Sequence, residues 1–280
     1  LHSWSKLQLI NPYFFIELDD DFTEYRDLVA SEIAGNFVNP VVEWKRLLYF
    51  NDWAEISTDR IRIYSSDHKE IERPVHDITY NPQSVEKIGF DHYMQKEIFE
   101  QARAASDTIA HISEFGPDLF AADPKEWQAF DQILLLACGT SYHAGLVARY
   151  WFEKLARVPC NIEVASEYRY RRPILLDKTL FVTLSQSGET ADTIEALKAA
   201  KKINNTMRSL CISNSPESSL TRLSDFTFLT HAGPEIGVAS TKAFTAQVTV
   251  FTLIALSLAR KKGTITESKF RQLIRELDTM

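Results

Sequence analysis

Hydrophobic and polar positions follow two textures along this chain. Up to about Asp77, short apolar runs at Tyr13–Leu18, Val41–Phe50, Trp53–Ile56 and Arg60–Tyr64 alternate with Asn, Asp, Ser and Pro. That pattern predicts brief antiparallel strands. The stretch Glu55–Ile63 adds a hairpin with its turn near Thr58-Asp59. Residues 75–86 are rich in Pro, Asn, Gln and Ser and read as a linker. After them the spacing lengthens. Phe90 opens a long helix toward His111, with Met94, Ile98 and Ala102 at helical spacing. Gly116-Pro117 stops the next turn, and Asp123-Pro124 opens a short helix around Trp127.

A regular alternation then begins. Strands are predicted at Ile133–Ala137, Asn161–Val164, Leu180–Leu184, Ser209–Ile212 and Phe226–Leu229. Helices are predicted at Ala144–Leu155, Ala191–Lys202, Ser218–Leu223 and Thr241–Arg260. Short apolar runs alternating with amphipathic helices imply an α/β fold: a doubly wound five-stranded parallel sheet, in an order such as 2-1-3-4-5, preceded by a partial antiparallel segment.

Candidate chemistry sits where two of these strands end. Leu180–Leu184 runs into Ser185-Gln186-Ser187-Gly188-Glu189-Thr190, and Ile133–Ala137 into Cys138-Gly139-Thr140-Ser141. Each loop is followed by a helix, whose unpaired N–H groups and dipole favour an anion. Ser187 or Thr190 could instead merely cap the helix. Two such loops flanking a switch in strand order share one crevice, and the duplication favours a phosphate. The loops lack the three spaced glycines of a dinucleotide site and the Gly-Lys-Ser/Thr of a P-loop. What remains is a cradle of hydroxyls and backbone N–H groups, suited to a sugar phosphate.

Composition narrows the classes. The 280 residues are 45% hydrophobic with a formal charge of -7, which argues against a nucleic-acid or anionic-membrane partner. Phe251–Leu258, the most apolar helical stretch, reads as a core helix. Cys138, Cys160 and Cys211 have no metal spacing and read as reduced core thiols of a cytoplasmic protein. No metal or other cofactor is expected. His92 reads as a solvent-facing or capping imidazole, and Lys242 as a surface charge at a helix terminus. The chain lacks an initiator Met, and Leu1–Ile10 carries neither a helix cap nor clear alternation, so a piece of a longer protein is expected.

Three motifs carry a family resemblance: Cys138–Ser141, Ser185–Thr193 and Glu235-Ile236-Gly237-Val238-Ala239-Ser240-Thr241-Lys242-Ala243-Phe244-Thr245. With His92–Ile98, Tyr150–Glu153 and Ala165–Tyr170, the chain from about residue 40 to 262 resembles the glutamine:fructose-6-phosphate aminotransferases, or glucosamine-6-phosphate synthases. The likeness is to their first sugar isomerase (SIS) domain, of flavodoxin-like strand order. It implies the end of a glutaminase domain over residues 1–77, a linker over 78–90, the SIS domain over 91–262 and a connection toward a second SIS domain over 263–280.

The resemblance also implies an activity: ammonia from glutamine converts fructose 6-phosphate into glucosamine 6-phosphate, a step toward UDP-N-acetylglucosamine. It assigns Ser141, Ser185, Gln186, Ser187 and Thr190 to the phosphate, Thr140 and Val238 to the sugar, and Gly139 and Gly188 to close backbone approach. It implies self-association into a homo-oligomer. The family's cysteine nucleophile would precede Leu1 and its ring-opening histidine, glutamate and imine-forming lysine would follow Met280, so no catalytic residue is assigned and this piece alone is expected to be inactive. The segment 11–33 matches the family poorly. Two other readings stay open: a non-catalytic SIS sugar-phosphate sensor, and a stand-alone phosphosugar isomerase using Glu235 and His231.

Overall fold

A computed structural model of the chain divides it into two units, Leu1–Ile88 and Gly89–Met280. The structure describes residues 5–10, 13–16, 44–46, 53–56, 61–65, 67–72, 75–77, 86–111, 130–171, 173–216 and 218–279. The expected turn at Thr58-Asp59 and the helix around Trp127 lie outside these residues.

In the first unit the described secondary-structure elements are strands: β1 (Ser5–Ile10), β2 (Tyr13–Ile16), β3 (Trp44–Arg46), β4 (Trp53–Ile56), β5 (Ile61–Tyr64), β6 (Glu70–Ile71) and β7 (Val75–Asp77). Five form an antiparallel sheet in the order β2-β1-β4-β5-β6, and β3 pairs with β7. The expected hairpin is β4 against β5, with Ile56 opposite Ile61.

The second unit opens with α1 (Tyr93–Phe99) and α2 (Gln101–Ala110). An alternating series follows: β8 (Gln132–Ala137), α3 (Gly139–Trp151), β9 (Cys160–Val164), α4 (Ala165–Tyr170), β10 (Thr179–Ser185), α5 (Ala191–Ile203), β11 (Arg208–Ser213), α6 (Ser219–Leu223), β12 (Phe226–Leu229), α7 (Lys242–Lys261) and α8 (Glu267–Asp278). A π-helical turn at Phe152–Ala156 extends α3. The five strands pair in parallel in the order β12-β11-β10-β8-β9, which is the 2-1-3-4-5 arrangement expected from the sequence.

Successive residues of a strand face opposite sides of the sheet, and the core divides accordingly. Ile133, Leu135, Leu180, Val182, Leu184, Leu210 and Ile212 pack on one side with residues of α3 and α7. Leu134, Leu136, Phe181 and Cys211 pack on the other with residues of α4, α5 and α6. Both faces are covered, which explains why the strands read as unbroken apolar runs. Among the described residues α7 is the one helix long and apolar enough to cross a membrane, but 78% of its apolar window is buried inside the protein. It is the core helix expected around Phe251–Leu258, with apolar residues on most sides.

The leading helix differs from expectation. It is broken at Glu100, and its apolar stripe faces outward: Met94 and Ile98 are 43% and 44% exposed. Lys96, Glu97, Ala104, Thr108 and Ile109 point inward instead. The sequence also gave no warning of α8, which Thr266 caps by accepting a hydrogen bond from the Lys269 N–H.

The thiols are inner-core groups as expected, except that Cys138 is only half-buried. Burial pushes the Cys160 and Cys211 thiols up to about 12. A thiol reagent at pH 8 is therefore expected to label at most one cysteine in the native protein and all three after denaturation. Two or more fast-reacting thiols before unfolding would contradict this packing.

Candidate functional site

The parallel register sets the site. Leu184 of β10 lies beside Ala137 of β8, so Ser185 and Cys138 leave the sheet as neighbours. Helices α3 and α5 start directly after these ends, with Cys138 and Thr190 at their N-cap positions. Neither cap side chain bonds to its helix. Two 13-residue helices thus present their positive ends at one edge of the sheet, without their own side chains serving the first N–H groups. An anion suits that edge. Asp192 in the first turn of α5 would repel one, but Arg169 bonds it at 2.7 Å. Donating that hydrogen bond to the Asp192 carboxylate raises the Arg169 pKa further, so the guanidinium offsets the carboxylate's charge.

The loop after β10 is braced from within. Ser185 is buried; its Oγ accepts from the Gly188 N–H at 3.0 Å and shares a hydrogen bond with Thr190 Oγ1 at 2.8 Å. Thr190 therefore occupies the cap position while its hydroxyl serves the loop, and the simple capping alternative fails. Ser187 Oγ accepts from the Glu189 N–H at 3.2 Å. Outside braces come from β11 and α6: the Asn214 N–H donates to the Gln186 carbonyl, the Leu220 N–H to the Gly188 carbonyl, and the Ser219 N–H to Glu189 Oε1 at 2.7 Å.

Gly188 has φ +68°, and a Cβ there would lie 1.9 Å from Ser218 Oγ. The close approach it permits includes one to the protein's own Ser218, at the N-cap of α6. Gly139, at φ +57°, meets no atom within 4 Å at its Cβ position and stands open to solvent beside Thr140. Gln186, Ser187 and Thr190 are half-buried, and Ser141 is buried with Gln247 Nε2 donating to its Oγ at 3.0 Å.

The Glu235–Thr245 stretch is held by buried charge. Glu97 Oε1 accepts from the Ile236 N–H at 2.6 Å and the Gly237 N–H at 3.0 Å. Glu235 Oε1 accepts from the Thr241 and Ala243 N–H groups at 2.8 and 3.1 Å, capping α7. That carboxylate is committed to the helix, which removes the main support for an isomerase using Glu235. His231 stacks on His111 with ring centroids 3.6 Å apart. Lys242 requires a correction: the expected surface charge is buried, its Nζ 2.6 Å from Glu100 Oε2, and Lys96 reaches the same carboxylate at 3.5 Å. A charge at that depth is stable only because a partner reaches it from α1 and α2. Val238, by contrast, is fully exposed. His92 is exposed at the start of α1 and makes no cap bond, as the solvent-facing reading held.

Sequence reasoning missed Ser213, Asn214, Ser218, Gln247 and Glu97. Only Ser218 carried a local signal, since a serine opening a short helix is an ordinary N-cap; it accepts from the Thr221 N–H. Asn214 ties the end of β11 to the next loop, accepting from Thr230 and Ala232 and donating to the Gly233 carbonyl. Among the described residues no group of three or more His, Cys, Asp or Glu side chains is placed to hold a metal ion.

Comparison with known proteins places this geometry. Residues 128–257 match the family described as SIS domain. The chain is 43% identical over 261 residues to glutamine--fructose-6-phosphate aminotransferase [isomerizing] of Francisella tularensis, covering 89% of this chain and 42% of that protein. It is 40% identical over 235 residues to the protein of the same description from Clostridium tetani, covering 82% and 38%. A solved structure, the C-terminal domain of glucosamine-fructose-6-phosphate aminotransferase from Francisella tularensis, matches at a TM-score of 0.65 and 46% identity over 69% of this chain and 55% of that one. A putative phosphosugar isomerase from Clostridium difficile 630, at 22% identity and a TM-score of 0.57, shares the fold. The chain spans about two fifths of the length of the curated relatives it matches.

Proposed function

We propose that this chain, whose residues 128–257 are a SIS domain similar to that of glutamine:fructose-6-phosphate aminotransferases, is the sugar-phosphate-binding part of an enzyme that makes glucosamine 6-phosphate from fructose 6-phosphate and glutamine. The observation that carries this reading is the pair of loops at the ends of β8 and β10, each opening a helix whose N-cap side chain leaves the first turn unserved. The phosphate lies across the starts of α3 and α5, where Ser141, Ser187 and Thr190 hydroxyls, the Gln186 amide and backbone N–H groups donate to it. Ser185 acts mainly as the frame that aims Thr190. Gly139 leaves the approach open, and Thr140 and the exposed Val238 face the sugar.

These residues bind and orient; none of them is assigned a proton transfer. Residues 1–77 belong to a glutaminase part, residues 78–90 to a linker, and the protein works in the cytoplasm as a homo-oligomer. A sensor built on the same domain is disfavoured by the likeness to aminotransferases over 89% of the chain.

Titration calorimetry is expected to show fructose 6-phosphate and glucosamine 6-phosphate binding at least about a hundredfold tighter than fructose, since several hydrogen bonds to charge at ~1.5–3 kcal/mol each are lost with the phosphate. Thr190→Val is expected to weaken sugar-phosphate binding about tenfold and, because the buried Ser185 hydroxyl loses its partner, to lower the melting temperature by a few degrees. Equal affinity for fructose and its phosphate rules out the anion cradle.

A further inference from the structure

We propose that Gln247 is a positioning residue: its side-chain amide fixes the Ser141 hydroxyl so that the O–H bond is free for an anion in the crevice. This rests on the reading of Ser141 as a phosphate contact. The two residues are 106 positions apart, Ser141 in the first turn of α3 and Gln247 in the second turn of α7, yet both are buried and Nε2 lies 3.0 Å from Oγ. An amide nitrogen donates and cannot accept, so it occupies a lone pair of the hydroxyl and leaves the proton to point elsewhere. A serine hydroxyl otherwise rotates freely. Held by a donor from inside the protein, its own donor is turned from the amide toward the helix start, where Gly139 and Thr140 are exposed.

The other half of the amide supports the role. Gln247 Oε1 is buried and has no hydrogen-bond partner among the described residues. An unpaired buried carbonyl costs free energy, and Gln247 stands among Ala246, Val250 and Phe251, all fully buried apolar residues of the same helix. A methionine would fill the same volume without the orphaned oxygen. A polar side chain kept at a cost to stability, and bonded to a hydroxyl of the cradle, points to function at that hydroxyl.

The test is a double-variant cycle on the 280-residue chain, titrated with fructose 6-phosphate. Gln247→Met is expected to melt at or above the parent temperature and to weaken binding about fivefold to tenfold, the loss of one directed hydrogen bond to a charged group. In a Ser141→Ala background the same substitution is expected to change affinity by less than about twofold. If Gln247→Met does not fold, Gln247→Leu replaces it in the same cycle. An equal loss in both backgrounds, or no loss in the parent, overturns the proposal, because a merely structural glutamine acts without regard to Ser141. A parent chain that binds no fructose 6-phosphate overturns the functional reading and this inference with it. Binding by the parent without coupling overturns this inference alone.

Discussion

Gly188→Val is expected to lower stability by about 3 kcal/mol or more, through two separable effects. The backbone at φ +68° lies in the left-handed region, where a side chain costs roughly 1–2 kcal/mol and a β-branched one more. The new Cβ would also sit 1.9 Å from Ser218 Oγ, 2.4 Å from Ser218 Cβ and 2.9 Å from Ser213 Oγ, all three atoms on buried residues. Overpacking of this kind adds roughly 1–3 kcal/mol. The melting temperature is expected to fall by about 6–12 °C, at ~2–4 °C per kcal/mol for a chain of this size. Adding Ser218→Gly to Gly188→Ala separates the parts: removing Cβ and Oγ is expected to recover some of the overpacking loss and none of the backbone strain. A melt unchanged from the parent in Gly188→Val overturns the account of this turn.

Glu100→Ala is expected to cost about 3–5 kcal/mol, because it leaves the buried Lys242 ammonium without its anion. The side chains of Lys96 and Lys242 are each only 4% exposed, and both reach the Glu100 carboxylate. Their attraction to it offsets a desolvation penalty that persists when the anion is gone. Urea unfolding reads the loss as a lower midpoint with an unchanged slope. The combination Glu100→Gln with Lys242→Met is expected to be more stable than Glu100→Ala, since it removes the buried Lys242 charge and fills its space. If Glu100→Ala unfolds at the parent midpoint, the ion pairs are solvated and contribute little.

The sheet was legible because its strands are buried on both faces. Leu134, Leu135 and Leu136 are apolar in succession for that reason, and short runs between helical segments leave few topologies. The two hydroxyl loops were legible because Cys138–Ser141 and Ser185–Thr190 follow those runs directly. What failed depends on partners distant in sequence. Met94, Ile98 and Ala102 look like a buried stripe on local spacing, yet Glu97 is turned inward because the loop before α7 supplies the Gly237 N–H, and Glu100 is anchored because α7 supplies Lys242. Periodicity reports a residue's immediate neighbours and is silent on contacts 140 positions away.

The clamp from Glu97 and Glu100 to the start of α7 also bears on how the chain is made. Glu100 waits 142 residues for Lys242, so α1 and α2 leave the ribosome long before their anchor is translated. At roughly 5–20 residues per second, that interval is on the order of ten seconds. During it Met94, Ile98 and Phe99 stand exposed, and the Glu97 and Glu100 carboxylates lack the partners that the later chain supplies. Closing so long a loop late is slow, and the helices in waiting are a natural stopping point for a chaperone.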